Sequence, residues 1–290
     1  MVKKKSEEKN ATSGRKLFFG LFIFPLLIAV GMAVLLCSVV LLTNEKETPE
    51  SLIMAIKTGS PGKRWQKAFE LSNELNKRSA DLRENSLAGE ITHILQDPGH
   101  YDPKTRAYMA AALSHFNTPQ AVEALRESLK DNDTEVQIYA LWGLGTLKAR
   151  SASPDCVVFL KSDNAELRKV AAYVLGVFGE KNAAELLKPL LQDPVSDVRW
   201  NSALALARLG DGSGTDVLLQ MLDRKALNLE ETMSEEAIES VMINAIKGLT
   251  LIAKPDSIKI LQEVSRNDKS LKVRQMAIQS LEAQNKENVH

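Results

Sequence analysis

The sequence predicts an all-α chain. The expected architecture is a right-handed α-solenoid of repeated helix pairs, about six units plus a terminal half-unit, behind one N-terminal transmembrane helix. Three observations predict it. Leu17 to Leu42 runs for 26 residues without a charge. Leucines return every 31 residues through the body. Ala, Leu, Glu and Lys abound while aromatics are only 5%, a helix-leaning composition.

The 290 residues are 44% hydrophobic and 26% charged, which excludes a mainly disordered chain. Two cysteines exclude a disulfide scaffold and a cysteine-built zinc cluster. Lys+Arg and Asp+Glu are both 37, but they are unevenly placed. Residues 1–44 hold six basic side chains (Lys3, Lys4, Lys5, Lys9, Arg15, Lys16) and two acidic ones, Glu7 and Glu8. That leaves 31 basic and 35 acidic over 45–290, a net of −4. A body with no basic excess is not expected to bind nucleic acid.

Residues 1–16 read as a basic, disordered cytoplasmic tail. The apolar run 17–42 follows. At about 1.5 Å per residue it makes a helix about 39 Å long, enough to cross a bilayer with some tilt. Pro25 is tolerated in such a helix. A cleaved signal peptide would have a shorter apolar region and a small-x-small site; Leu41-Leu42-Thr43-Asn44-Glu45 offers none. Cys37 follows the bulky Leu36, unlike a lipoprotein cysteine. The Lys/Arg excess precedes the helix, so the expected topology is a single-pass signal anchor with the C-terminal body outside the cytoplasm, periplasmic in a bacterium. Ala29 and Ala33 form a small-x-x-x-small pair, a spacing too common to decide the oligomeric state.

Residues 43–60 read as a short linker and a juxtamembrane helix, opened by Thr48-Pro49-Glu50 and covering about 49–58. The solenoid occupies 61–285, with 286–290 as a tail. Leu113, Leu144, Leu175 and Leu206 define its main column, and Leu129, Leu160, Leu191 and Leu222 a second. Arg106, Gln137, Arg168 and Arg199 stand seven residues before the first column. Ala110, Leu141, Ala172 and Ala203 follow those by four. The register returns at Met242, Ala245 and Leu249, and at Arg274, Ala277 and Leu281, after an insertion near 224–235.

Each unit splits into two helices. In the third, Leu167, Val170, Ala171, Val174, Leu175 and Phe178 keep a helical period. Gly179 ends that helix and Asn182 is expected to cap the next. Asp193-Pro194 separates units. Asp133, Asp163 and Asp197 are expected as caps or first-turn acids.

The stretch Asp193 to Gly210, and equally Asn164 to Gly176, closely resembles the short HEAT-like repeat first associated with phycobilin lyases. The resemblance covers about 61–285. It implies stacked helix pairs whose second helices line a concave face, and it offers chromophore attachment or a chaperone-like role as an alternative function. Gln137 departs from the family's Arg.

No GxGxxG, P-loop, GxSxG or HExxH occurs, and Gly143-Leu-Gly145 reads as helix packing. His93, His100, His115 and His290 form no His-Glu dyad of the kind HEAT-like deoxyhypusine hydroxylases use for iron, so neither metal nor cofactor is expected. Cys156 reads as a small core residue. The arginine column, Arg274 included, reads as a structural ladder. Trp65 and Trp200 read as inter-repeat packing.

The expectation is therefore a non-enzymatic, membrane-anchored scaffold that binds a protein of the membrane or envelope. Its candidate surface is the second-helix columns: Glu123, Glu185 and Asp216; Arg126, Val157, Lys188 and Leu219; Glu127, Val158 and Gln220. Val157, Val158 and Leu219 suggest an apolar spot in a charged groove. Leu227, Leu229 and Met233 in the insertion either contact a partner or pack over the core.

Overall fold

A computed structural model describes residues 19–43, 48–77, 85–228, 233–252 and 255–287. The chain divides into two units, Met1–Thr48 and Pro49–His290.

The first unit holds a π-helical turn, Phe19–Ile23, and helix α1, Phe24–Thr43. The stretch Gly20–Ser38 has a mean hydropathy of 2.6 and none of it is buried. It is long and apolar enough to cross a membrane. Its large side chains, such as Phe22, Leu27 and Leu35, project in every direction. A helix apolar all round suits a hydrocarbon surrounding.

The second unit is built from helices in two layers. The first-helix layer comprises α3 (Pro61–Lys77), α5 (Pro103–Leu113), α7 (Thr134–Thr146), α9 (Ala165–Phe178), α11 (Ser196–Arg208), α14 (Glu235–Ile252) and α16 (Leu271–Glu287). Each packs on the next in that order. The second-helix layer comprises α2 (Pro49–Thr58), α4 (Asn85–Leu95), α6 (Pro119–Ser128), α8 (Ser153–Val157), α10 (Ala184–Leu187), α12 (Thr215–Gln220) and α15 (Pro255–Asn267). From α4 onward each lies against the first helix that follows it, and α2 lies against α3 and α4. Among the described residues this gives an opening helix α2, six helix pairs and a closing single helix, an α-solenoid. The extra helix α13, Arg224–Asn228, marks the insertion.

Local chemistry sets the boundaries. Asp102 and Thr118 cap helices that begin with proline, accepting from the amides of Thr105 and Ala121. Asp133 accepts from Glu135 and Val136. Asp163 does not cap: Asn164, one residue on, accepts from Glu166 and Leu167. Asp197 lies in the first turn of α11. Gly179 takes φ +74°, the left-handed end that stops α9. Asn182 does not cap either. It lies within a 3-10 turn, Lys181–Ala183, that leads into the four-residue α10, and Lys188–Gln192 continues as 3-10 helix. Pro189 has no amide proton to donate, so a regular α-helix does not persist there.

The core runs along the layers. Leu113, Leu144, Leu175, Leu206 and Leu249 are all fully buried. Leu129, Leu160 and Leu222 are buried beneath the second helices. At Gly176 the helices come so close that a Cβ would stand 2.7 Å from the Ala205 Cα. Gly143 and Gly145 face Leu125 and Val174, which confirms their packing role.

Candidate protein-binding surface

From Arg106 to Arg199 the arginine column ties its units to the loops that join them. Arg168 donates to both carboxylate oxygens of Asp193 at 2.7 and 2.9 Å. It also donates to the carbonyls of Ser162 and Asp163. Arg106 pairs with Asp131 in the same way. Gln137, without a charge, still reaches the carbonyls of Leu129 and Asp131. Arg199 donates to the carbonyls of Asp193 and Pro194. The recurring target is the loop that joins two units. These groups are spent on the frame and offer no anion site.

Several second-helix charges are also paired, and some of these contacts cross repeat boundaries. Arg126 bridges Glu123 of its own helix, at 2.9 Å, and Asp155 of the next unit, at 2.7 Å. The Asp155 carboxylate beside it raises the Arg126 pKa. Lys188 joins Glu185 at 2.5 Å and Asp211 of the next unit at 3.4 Å. Its pKa is likewise raised, first by Glu185. Glu127 accepts from Gln96 of the preceding unit. Asp216 and Gln220 are exposed.

The apolar candidates separate. Val158 is 70% exposed. Val157 is half-buried against the core. Both line a cleft of about 700 Å³ with Phe159, Leu167, Gln137 and Lys161. Leu219 is half-buried against the C-terminal part of the core. The expected continuous apolar spot therefore reduces to Val158 and its cleft.

The insertion turns inward. Leu227 is 4% exposed and clusters with Met242 and Ile246, and Met233 packs against the same cluster. Leu227 is core, not contact surface. Arg224 fastens α13 by two 2.8 Å bonds to Asp268 and by a further pair with Glu235. Leu229 lies outside the described residues, as does His290.

Reactive groups are few. Cys156 is fully buried and burial pushes its thiol up to about 12. His100 pairs with Asp97 at 2.8 Å, which lowers the Asp97 pKa. Among the described residues no group of three His, Cys, Asp or Glu is placed to hold a metal ion. Trp65 lies beneath the Lys104 ammonium, 3.6 Å from the ring centre, and Trp200 packs against the C-terminal core.

The family model for HEAT repeats matches residues 91–157 and 153–239, half of the chain. The phycocyanobilin lyase subunit alpha of Nostoc sp. is 26% identical over 156 residues, 50% of this chain and 56% of that protein. A deoxyhypusine hydroxylase of Danio rerio is 31% identical over 110 residues, 37% of this chain and 36% of that protein. The chain thus spans just over half the length of the first relative and about a third of the second. The solved complex of CpcE and CpcF of phycocyanin lyase from Nostoc sp. aligns with 82% of this chain and 88% of that chain, at TM-score 0.59 and 20% identity. The Escherichia coli protein YibA aligns with 82% and 93%, at TM-score 0.51 and 14% identity. These two structures speak for the fold alone. The relatives overturn the expectation of a non-enzyme, because both curated proteins are named as enzymes. A missing motif did not warrant that exclusion, since this repeat architecture serves enzymes too. With the 31-residue period, the two-layer stack and the matched repeats in agreement, the chain belongs to the HEAT-repeat family.

Proposed function

We propose that the chain is a protein-binding subunit of an enzyme assembly, held at a membrane by α1, with its protein client along the second-helix layer. The observation that carries this reading is the isolation of Val158. It is a bare apolar side chain beside a roomy cleft, on a layer where Arg126 and Lys188 are already paired with acids of the chain. Charges already paired within the chain gain little from a partner and leave apolar contact to supply the affinity. The likeness to a lyase subunit supports the enzyme part of the reading. Six Lys and Arg before the apolar helix support a cytoplasmic N-terminus and an extracytoplasmic solenoid, which makes a membrane or envelope protein the client.

The test uses the tagged full chain extracted in mild detergent, with and without Val158→Asp. A specific co-purifying protein should fall by about tenfold or more, the loss expected when a charge enters an apolar contact. Equal recovery with both chains overturns the surface. The same 26% identity favours a second reading, attachment or chaperoning of a bilin chromophore. Titration of the purified chain with phycocyanobilin, followed by absorbance, decides it: no spectral shift and no transfer to an acceptor protein discards that reading.

A further inference from the structure

A second surface lies on the first helices and shares no residue with the second-helix face. Its spine is a run of ring contacts. Phe69 of α3 meets Tyr108 of α5 edge-on, with centroids 5.3 Å apart. Tyr108 meets Tyr139 of α7 at 5.6 Å. One turn further along α7, Trp142 meets Tyr173 of α9 at 4.6 Å. The Arg208 guanidinium of α11 stands over Tyr173 at 5.0 Å. The whole chain has only 8 Phe, 3 Trp and 4 Tyr, so five rings in one run are a concentration. Its members are partly open to solvent: Phe69 is 45% and Trp142 38% exposed.

Beside the step from Tyr139 to Trp142 lies a cleft of about 460 Å³. It crosses α5, with α3 on one side and α7 on the other. From α3 come Asn73 and Asn76, one turn apart and both exposed. The Ser114 and Thr146 hydroxyls on its wall donate to their own helix carbonyls, Ala111 at 2.6 Å and Trp142 at 2.9 Å. No Asp, Glu, Lys or Arg lines it. The clefts of the second-helix layer differ, carrying Lys161 and Asp163 or Glu123 and Glu127.

An aromatic wall, two exposed carboxamides and a lining without Asp, Glu, Lys or Arg, with His115 as its one imidazole, select a neutral ligand with flat apolar faces and unpaired carbonyls. A polyproline II segment has both. Its backbone makes no internal hydrogen bonds, so its carbonyls are open to carboxamide N–H groups. Its rings stack on Trp and Tyr, and its preformed shape limits the entropy lost on docking. The geometry points to a docking site for an uncharged, proline-rich segment of a partner protein, between Asn73 and Asn76 on one side and Tyr139 and Trp142 on the other. It stands apart from the second-helix reading and survives or fails without it.

The test is fluorescence anisotropy of a labelled decaproline peptide with the full chain in detergent micelles. A Gly/Ser peptide of equal length and a neutral oligosaccharide serve as competitors. Saturable decaproline binding is expected, little changed between low and high salt because no charge pairs form. Trp142→Ala should weaken it about tenfold or more, and Trp142→Phe should largely restore it. The double variant Asn73→Ala, Asn76→Ala changes only exposed side chains and should weaken it even where Trp142→Ala disturbs the fold. Absent or unsaturable binding, equal affinity for the Gly/Ser peptide, or no loss in the Asn double variant overturns the proposal. Displacement by the oligosaccharide reassigns the cleft to a glycan and overturns it too.

Discussion

Arg168 and Asp193, 25 residues apart, close the joint between α10 and α11 with two parallel hydrogen bonds of 2.7 and 2.9 Å. Both side chains are largely buried, at 14% and 8% exposure. Removing one partner strands the other charge inside, so Arg168→Ala should lose about 3 kcal/mol. The same pair makes stability depend on pH. The Arg168 guanidinium, with the Val195 amide, holds the Asp193 pKa below its ordinary value. A carboxylate depressed in the folded state stabilises fully above its unfolded pKa of about 3.9 and loses that contribution as pH falls through the folded value. Denaturant melts of the wild type should therefore weaken in acid below about pH 4. Asp193→Asn should start lower at neutral pH and show a shallower acid decline; an identical acid slope rejects the linkage.

Gly176 and Gly89 invite opposite outcomes from one substitution. A Cβ at Gly176 would stand 2.7 Å from the Ala205 Cα and Cβ, backbone that has no flexible end to move. Gly176→Ala should cost about 1–3 kcal/mol, the range for an overfilled contact, against a helix-propensity gain of no more than about 1. A Cβ at Gly89 in α4 meets nothing within 4 Å. Gly89→Ala should stabilise by roughly 0.5–1 kcal/mol. Paired thermal melts in one detergent check the sign of each.

These elements divide sharply in how far they are readable from sequence. The leucine columns are plain because a fully buried site admits few residue types, so Leu113, Leu144, Leu175 and Leu206 repeat almost without variation. Gly179 is plain because positive φ favours glycine. The loop-binding role of the arginine column is only half readable, since Asp131 and Asp193 stand 25 residues on and nothing local marks them. The aromatic run is hidden because its members do not share one column: at α7 it steps from Tyr139 to Trp142. Leu227 misleads because an inserted leucine reads alike whether it turns inward or outward; only the Arg224–Asp268 clasp decides. The repeat motifs carry the likeness to phycobilin lyases but no reaction chemistry, since the repeat period reports stacking alone.

Cys156 should stay silent to thiol reagents. Its side chain is fully buried and its pKa is raised to about 12 by burial, with Asp155 adding to the shift. At pH 8 roughly one thiol in ten thousand would be ionised, and that one would be shielded. In a Cys37→Ser background, maleimide labelling should appear only as denaturant unfolds the solenoid. Prompt labelling of the native chain would show that the α8 region opens locally.

Val158 and Leu227 should separate binding from folding. Val158 is 70% exposed and Leu227 is 4% exposed, although both read as apolar surface candidates. Val158→Asp places a carboxylate in water, so its stability change should stay within about 0.5 kcal/mol while client recovery falls. Leu227→Ala empties a site beside Met242 and Ile246. Its cost should be about 2–4 kcal/mol, with no selective effect on any client. The loss should centre on the C-terminal units, because Leu227 belongs to the cluster that runs from Ala203 to Ala277, and in a repeat stack each interface stabilises mainly its neighbours. Hydrogen exchange checks this: protection should drop in α14 and α15 and persist in α5 and α7. Uniform loss along the whole stack would mean that the solenoid unfolds as one cooperative block.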